Sequence, residues 1–228
     1  EALTALRSDP AVEYAEPNAV YHLPDFNKID LPAEGTLDSP EPNDLDRRLW
    51  GLKNTGRRGG IAGADINAVE AWKTTIGDKK HGPLIAVIDT GIDYKHPDLA
   101  DNMWINPGEV PNDGIDNDGN GVIDDVHGYN AFAQTGDPMD DHSHGTHCAG
   151  TIAAVGNNGR GVVGVNWEAN LMAVKIFDSR GNTSLDAILR GLDYAAKMGA
   201  DITNNSWGDS SPSEAIKDAF ARMDETVH

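Results

Sequence analysis

Between residues 171 and 206 the chain reads strand, helix, strand, and that order constrains the fold more than any other feature of its 228 residues. Residues 171–176 are a short, mostly apolar run, and residues 202–206 read as another short strand. Between them, in SLDAILRGLDYAAKMG, Leu185, Ile188, Leu189 and Leu192 recur at helical spacing, and Gly199 suits the C-terminal stop. A third run, residues 84–88, is ended by Asp89, Thr90 and Gly91. Continuous apolar runs of this length fit parallel strands covered on both faces, because a one-sided sheet would alternate polar and apolar. The expected fold is therefore α/β: a doubly wound, mostly parallel sheet with helices on both faces and right-handed crossovers. A last helix, about residues 213–225, lines up Ala215, Ile216, Ala219, Phe220 and Met223.

Two segments precede this domain. Residues 1–23 join a helix-like end (Leu3, Leu6) to the alternating run Val12, Glu13, Tyr14, Ala15, Glu16, which predicts a half-buried strand. Residues 24–46 are rich in Pro, Asp, Glu and Gly, with Pro32, Pro40 and Pro42 breaking any pattern, as in an exposed linker. The main domain is expected over residues 47–228. Lys plus Arg number 18 against 37 Asp plus Glu, a net charge of −19. That balance repels nucleic acid and anionic membrane and favours cations or basic partners. Cys148 is the single cysteine, so no intramolecular disulfide forms, and no apolar run reaches membrane-spanning length. The first residues, EALTALRSDP, lack the basic-then-apolar pattern of a secretory signal.

Two motifs carry the chemistry. AVIDTGIDYKHPDL puts Asp89 at the carboxyl end of a buried strand, where sites collect in open parallel sheets; alone, it could equally cap the turn through Thr90 and Gly91. In DDHSHGTHCAGTIAAVG, His144 opens a helix of small residues (Gly145, Ala149, Gly150, Ala153, Ala154) able to press on a neighbour. A helix N-terminus disfavours an imidazolium, so a base there needs a carboxylate partner, and Asp89 is the candidate. Such a pair is the Asp and His part of a serine hydrolase triad. The competing reading is zinc held by His142, His144 and His147 with Asp140 and Asp141, although the spacing is not HExxH. Ser143, adjacent to His144, is badly placed to face it.

DTGIDYKHPDL followed by HSHGTHCAGTIAA resembles the aspartate and histidine motifs of the subtilase family, in that family's order. WGLKNTG, GADINAVEAW and NNSWG resemble further subtilase segments, so the likeness covers nearly all of residues 47–228. It implies that Asp89 orients, that His144 is the general base, that His147 is structural, and that Cys148 lies beneath the site as an inert thiol. It also implies a substrate rail at Ser206, Trp207 and Gly208, where an extended polypeptide adds as a β-strand. The family's GTSMA-like serine motif and its oxyanion asparagine do not occur in these 228 residues, which by themselves are expected to form no acyl-enzyme. The expected activity is serine endopeptidase cleavage of internal peptide bonds. The alternative is a catalytically inactive, calcium-stabilised module that binds extended peptides.

NDGIDNDGNGVIDDVHG places Asp116, Asp118 and Asn120 at alternate positions before Gly121, the spacing of a calcium loop. Position twelve from Asp116 is His127, so Asp124 or Asp125 must supply the closing carboxylate, with Val122 giving a carbonyl. The family resemblance adds a second calcium site at Asp98 and Asn158. It further implies that DPAVEYAEPNAVYHL is the last strand of an inhibitory propeptide, cut somewhere between Tyr21 and Pro42, and hence that the protein is secreted.

Overall fold

The continuous apolar runs become the middle of a four-stranded parallel sheet. The computed structural model describes residues 2–22, 41–208 and 212–223. In chain order the elements are α1 (Ala2–Arg7), β1 (Val20–His22), α2 (Ala68–Ala71), β2 (Leu84–Asp89), β3 (Gly128–Asn130), α3 (His144–Ala153), β4 (Asn170–Lys175), β5 (Asn182–Ser184), α4 (Leu185–Lys197), β6 (Ile202–Asn204) and α5 (Glu214–Ala221). The sheet order is β3-β4-β2-β6, every pair parallel, with Asp89 in register beside Lys175. Both faces are covered. Ala86, Ile88, Met172 and Val174 pack under α4 with Ile188, Leu192 and Ala195. Ile85, Val87, Leu171 and Ala173 face the other way, against Ala149 and Ala153 of α3. Val87, Ile88, Leu171 and Val174 are completely buried, and each such side chain contributes about 1.5–3 kcal/mol relative to exposure. The α/β fold with helices on both faces of a mostly parallel sheet is as the sequence implied.

Three details differ from the sequence reading. Residues 12–16 form no strand; the strand falls later, at β1, which pairs antiparallel with β5. Glu16 instead turns its carboxylate to the start of α5, accepting from the Ser213 hydroxyl and the Ala215 N–H at 2.9 Å each. β6 stops at Asn204, two residues short of Ser206. The packed domain also takes in the end of the supposed linker, since Pro42, Asp44 and Leu45 are buried. The remainder of that linker, residues 24–40, and with it most of the expected processing stretch, lies outside the described residues, as do residues 224–228, which include the end expected for the last helix. Among the described residues no helix is long and apolar enough to cross a membrane.

Candidate active site

Asp89 ends β2 with no exposed surface, and His144 is the first residue of α3. Ser143, in the left-handed region at φ 86°, turns the chain into that helix. The two side chains meet: His144 Nδ1 lies 2.7 Å from Asp89 Oδ1. An ionised carboxylate only accepts, so Nδ1 is the donor, and Nε2 is the unprotonated nitrogen that can take a proton. The approach depends on Gly145, where a Cβ would stand 2.2 Å from the Gly91 carbonyl oxygen. Burial pushes the Asp89 carboxyl above the ordinary carboxylate value, while hydrogen bonds from His144 and the Thr90 N–H pull the other way. Among the described residues its second oxygen, Oδ2, is buried without a hydrogen-bond partner.

Cys148 sits one turn along α3, its sulfur 3.9 Å from His144 Nδ1. Burial, then the Asp89 charge, push its thiol up to about 11, so at neutral pH it is protonated and unreactive. The zinc alternative does not assemble among the described residues, where the histidine triplet forms no ligand cluster. Asp140 is committed to the protein. Its Oδ1 accepts from the backbone N–H groups of His142 and Ser143, and its Oδ2 from the Thr146 N–H and hydroxyl. Burial works to raise the Asp140 carboxyl, but those bonds together hold it below its ordinary value. Asp141 pairs with Lys175.

Beyond β6, the Ser206 hydroxyl accepts from Asn204 Nδ2, and Trp207 donates its indole N–H to the Ile88 carbonyl at 2.8 Å. That bond ties residues 206–208 to the strand carrying the acid, one residue before it. Gly208 is exposed, and a Cβ there would meet open space. β6 is one of the four-stranded sheet's two edge strands, β3 being the other. In a separate two-stranded sheet β5 pairs with β1, and the N-terminal segment around β1 is tied down. Asn18 Oδ1 accepts from the Asp186 N–H at the start of α4, Glu16 caps α5, and Tyr21 is buried in the core cluster.

The acidic loop gathers a different carboxylate set from the one its spacing implied. Glu109, Asp118 and Asp125 bring oxygens within 4.8 Å of one another. Asn106 and Asn120 direct amide nitrogens at Asp118 and Asp125. Asp116 instead accepts from the N–H groups of Gly119, Asn120 and Gly121, and Asp124 from those of Asp113 and Gly114. Val122 donates its N–H to Asn120 Oδ1. Burial raises the Asp125 carboxyl. Glu109 was not legible from the motif, since it lies upstream of the alternating acids and only its burial reveals it. At the second predicted site, Asp98 and Asn158 do meet: Asn158 Nδ2 is 2.7 Å from Asp98 Oδ1. Asp44, missed in the sequence, joins them by accepting the Asn157 and Asn158 N–H groups at 2.9 Å.

Residues 80–227 match the model of the family described as "Subtilase family". The chain is 47% identical over 167 residues to "Subtilisin-like protease 1" of Plasmodium berghei, a stretch covering 72% of this chain and 26% of that protein. It is 36% identical over 159 residues to "Cell wall-associated protease" of Bacillus subtilis, covering 70% of this chain and 16% of that protein. The crystal structure of fervidolysin from Fervidobacterium pennivorans, described as a keratinolytic enzyme related to subtilisin, superposes with a TM-score of 0.58 at 27% identity, covering 92% of this chain and 29% of that one. The aligned stretch thus spans less than a third of the length of each of these proteins.

Proposed function

This chain belongs to the subtilase family, and on that basis we propose that the protein carrying it is a calcium-dependent serine endopeptidase acting on extended polypeptides. The observation supporting this most is the 2.7 Å bond between His144 Nδ1 and Asp89 Oδ1 at the carboxyl end of the sheet. In the proposed reaction Nε2 of His144 takes the proton of a serine hydroxyl as it attacks the scissile carbonyl, then returns it to the leaving amine. Asp89 keeps the ring in the Nδ1–H tautomer and stabilises the imidazolium while it lasts. The attacking serine and the oxyanion asparagine are not assigned within these 228 residues, which by themselves are proposed to be inactive. Ser206, Trp207 and Gly208 line the rail for the substrate strand, a role supported by the bond from Trp207 to Ile88.

Calcium belongs to the same proposal. Glu109, Asp118 and Asp125 offer hard carboxylate oxygens, and turning the Asn106 and Asn120 amides over would present oxygen in place of nitrogen. A second ion fits Asp44, Asp98 and Asn158. Bound there, calcium would neutralise carboxylates that otherwise repel. The N-terminal segment is read as an inhibitory propeptide, because β1 occupies a free strand edge and its flanking residues cap two helices. Such an inhibitor protects a producing cell, so the enzyme is proposed to be secreted. The test is incubation of the intact protein with an unfolded polypeptide. Internal cleavage that disappears in His144→Ala supports the assignment, and undiminished cleavage by that variant rejects it.

A further inference from the structure

Thr90, the residue after the acid, is held at both of its polar ends: at the hydroxyl by the segment that carries the base, and at the carbonyl by the last residue of β4. Its hydroxyl donates to Asp140 Oδ1 at 2.9 Å and accepts from the Gly145 N–H at 2.9 Å. Its carbonyl accepts from Lys175 Nζ at 2.7 Å, and the same ammonium pairs with Asp141 Oδ1 at 2.6 Å. Lys175 is an unusual choice for this place. Its side chain is 5% exposed, after the apolar residues 171–174 of its strand and in register beside Asp89. Burying an ammonium costs several kcal/mol before its partners repay any of it, and an apolar side chain at such a point is often at least as stabilising. What an apolar side chain could not do is grip the Thr90 carbonyl and the Asp141 carboxylate at once.

We propose that Thr90, Asp140, Asp141 and Lys175 form a clamp that sets the separation of Asp89 and His144, making all four positioning residues for the general base. The clamp joins the end of β2 to the N-terminus of α3 by two routes. One runs from the Thr90 hydroxyl through Asp140 to the N–H groups that open α3. The other runs from the Thr90 carbonyl through Lys175 to Asp141. Neither route touches the reacting atoms. Each fixes a piece of backbone on which one partner of the acid–base pair is mounted, and errors of about 1 Å in such mounting are costly to catalysis.

The inference rests on the Asp89–His144 reading, so its test first establishes that pair. In the intact protein with 15N-labelled histidine, the His144 Nδ1 proton should exchange slowly and be lost in Asp89→Asn; if it is absent from the unaltered protein, the pair itself fails, and the clamp with it. Thr90→Val should then speed exchange of that proton about tenfold or more, with Thr90→Ser restoring the slow rate. Lys175→Met and Asp141→Asn should each speed it, and together do no more than the larger alone, because they cut one route. An unchanged rate in folded Thr90→Val, or a Thr90→Ser variant as fast as the valine, overturns the clamp. Should Thr90→Val fail to fold, Asp141→Asn, altered at a side chain 53% exposed, carries the same decision: slow exchange there overturns the proposal.

Discussion

Adding one methyl group at Gly145 should open the acid–base pair without substituting either member. The glycine is the second residue of α3, where alanine would normally stabilise a helix by up to about 1 kcal/mol. Here the new Cβ would stand 2.2 Å from the Gly91 carbonyl oxygen and 3.2 Å from Asp89 Oδ1. Carbon and oxygen rest no closer than about 3.3 Å, so the helix start must retreat from the Asp89 turn by about 1.1 Å. A retreat of that size lengthens the 2.7 Å bond from His144 to about 3.8 Å, outside hydrogen-bond range. Overpacking costs about 1–3 kcal/mol, which leaves a net loss of up to about 2 kcal/mol after the full propensity gain. For a domain of this size the melting temperature should fall by up to about 8 °C. Calorimetry gives that fall, and the NMR resonance of the His144 Nδ1 proton gives the broken bond. A Gly145→Ala protein that melts no lower and keeps that resonance would refute the packing argument.

Other outcomes follow from the same structure. Chelation with EDTA should lower the melting temperature, since an ion bound only by the folded protein stabilises it by mass action; an unchanged melt would remove both proposed calcium sites. Asp125→Asn, within the cluster of Glu109, Asp118 and Asp125, should abolish most of that EDTA response, and a full response in the variant would place the ion elsewhere. Hydrogen bonding from Ser184, helped by Arg190 and Asn18, holds the Asp186 carboxyl at about 2, below its ordinary 3.8. A depressed carboxyl contributes its hold above 3.8 and loses it as the pH falls towards 2, so in that window the N-terminal segment should loosen from α4. Amide exchange at Leu185, corrected for its intrinsic pH dependence, reports this because that N–H is bonded to the Ala19 carbonyl; constant protection down to pH 2 would count against it. Glu16→Ala removes the bonds by which the segment supplements the Ser213 cap of α5 and should cost about 1 kcal/mol of docking, read as faster proteolysis of the segment.

What was legible in the sequence was what short-range pattern encodes. The runs at 84–88 and 171–176 are apolar without alternation because both faces of their strands are covered, and they appear as β2 and β4. Asp89 and His144 could be singled out because each stands at the end of a regular element, and the sheet brings those ends together. The partners that bind them could not. Lys175 looks like the polar end of a strand until its ammonium is found between the Thr90 carbonyl and Asp141, 85 and 34 residues away in sequence. The strand expected at residues 12–16 failed for a similar reason: Glu16 serves a helix 199 residues later, a demand that alternation cannot register. In the acidic loop the spacing located the segment but not which carboxylates gather: Asp116 and Asp124 turn to backbone N–H groups that close the turns. Glu109, set apart from the alternating acids, accepts from the N–H groups of Asn117, Asp118 and Asp124 and so joins Asp118 and Asp125.

The central claim is that His144, held by Asp89, activates a serine elsewhere in the protein. Reaction of the intact protein with a fluorophosphonate tests it directly, because only a serine with an adjacent base reacts quickly. A single serine should be labelled, outside these 228 residues, and His144→Ala should slow the labelling by about a thousandfold or more. No labelling of the folded, calcium-loaded protein, or labelling undiminished in His144→Ala, would contradict it.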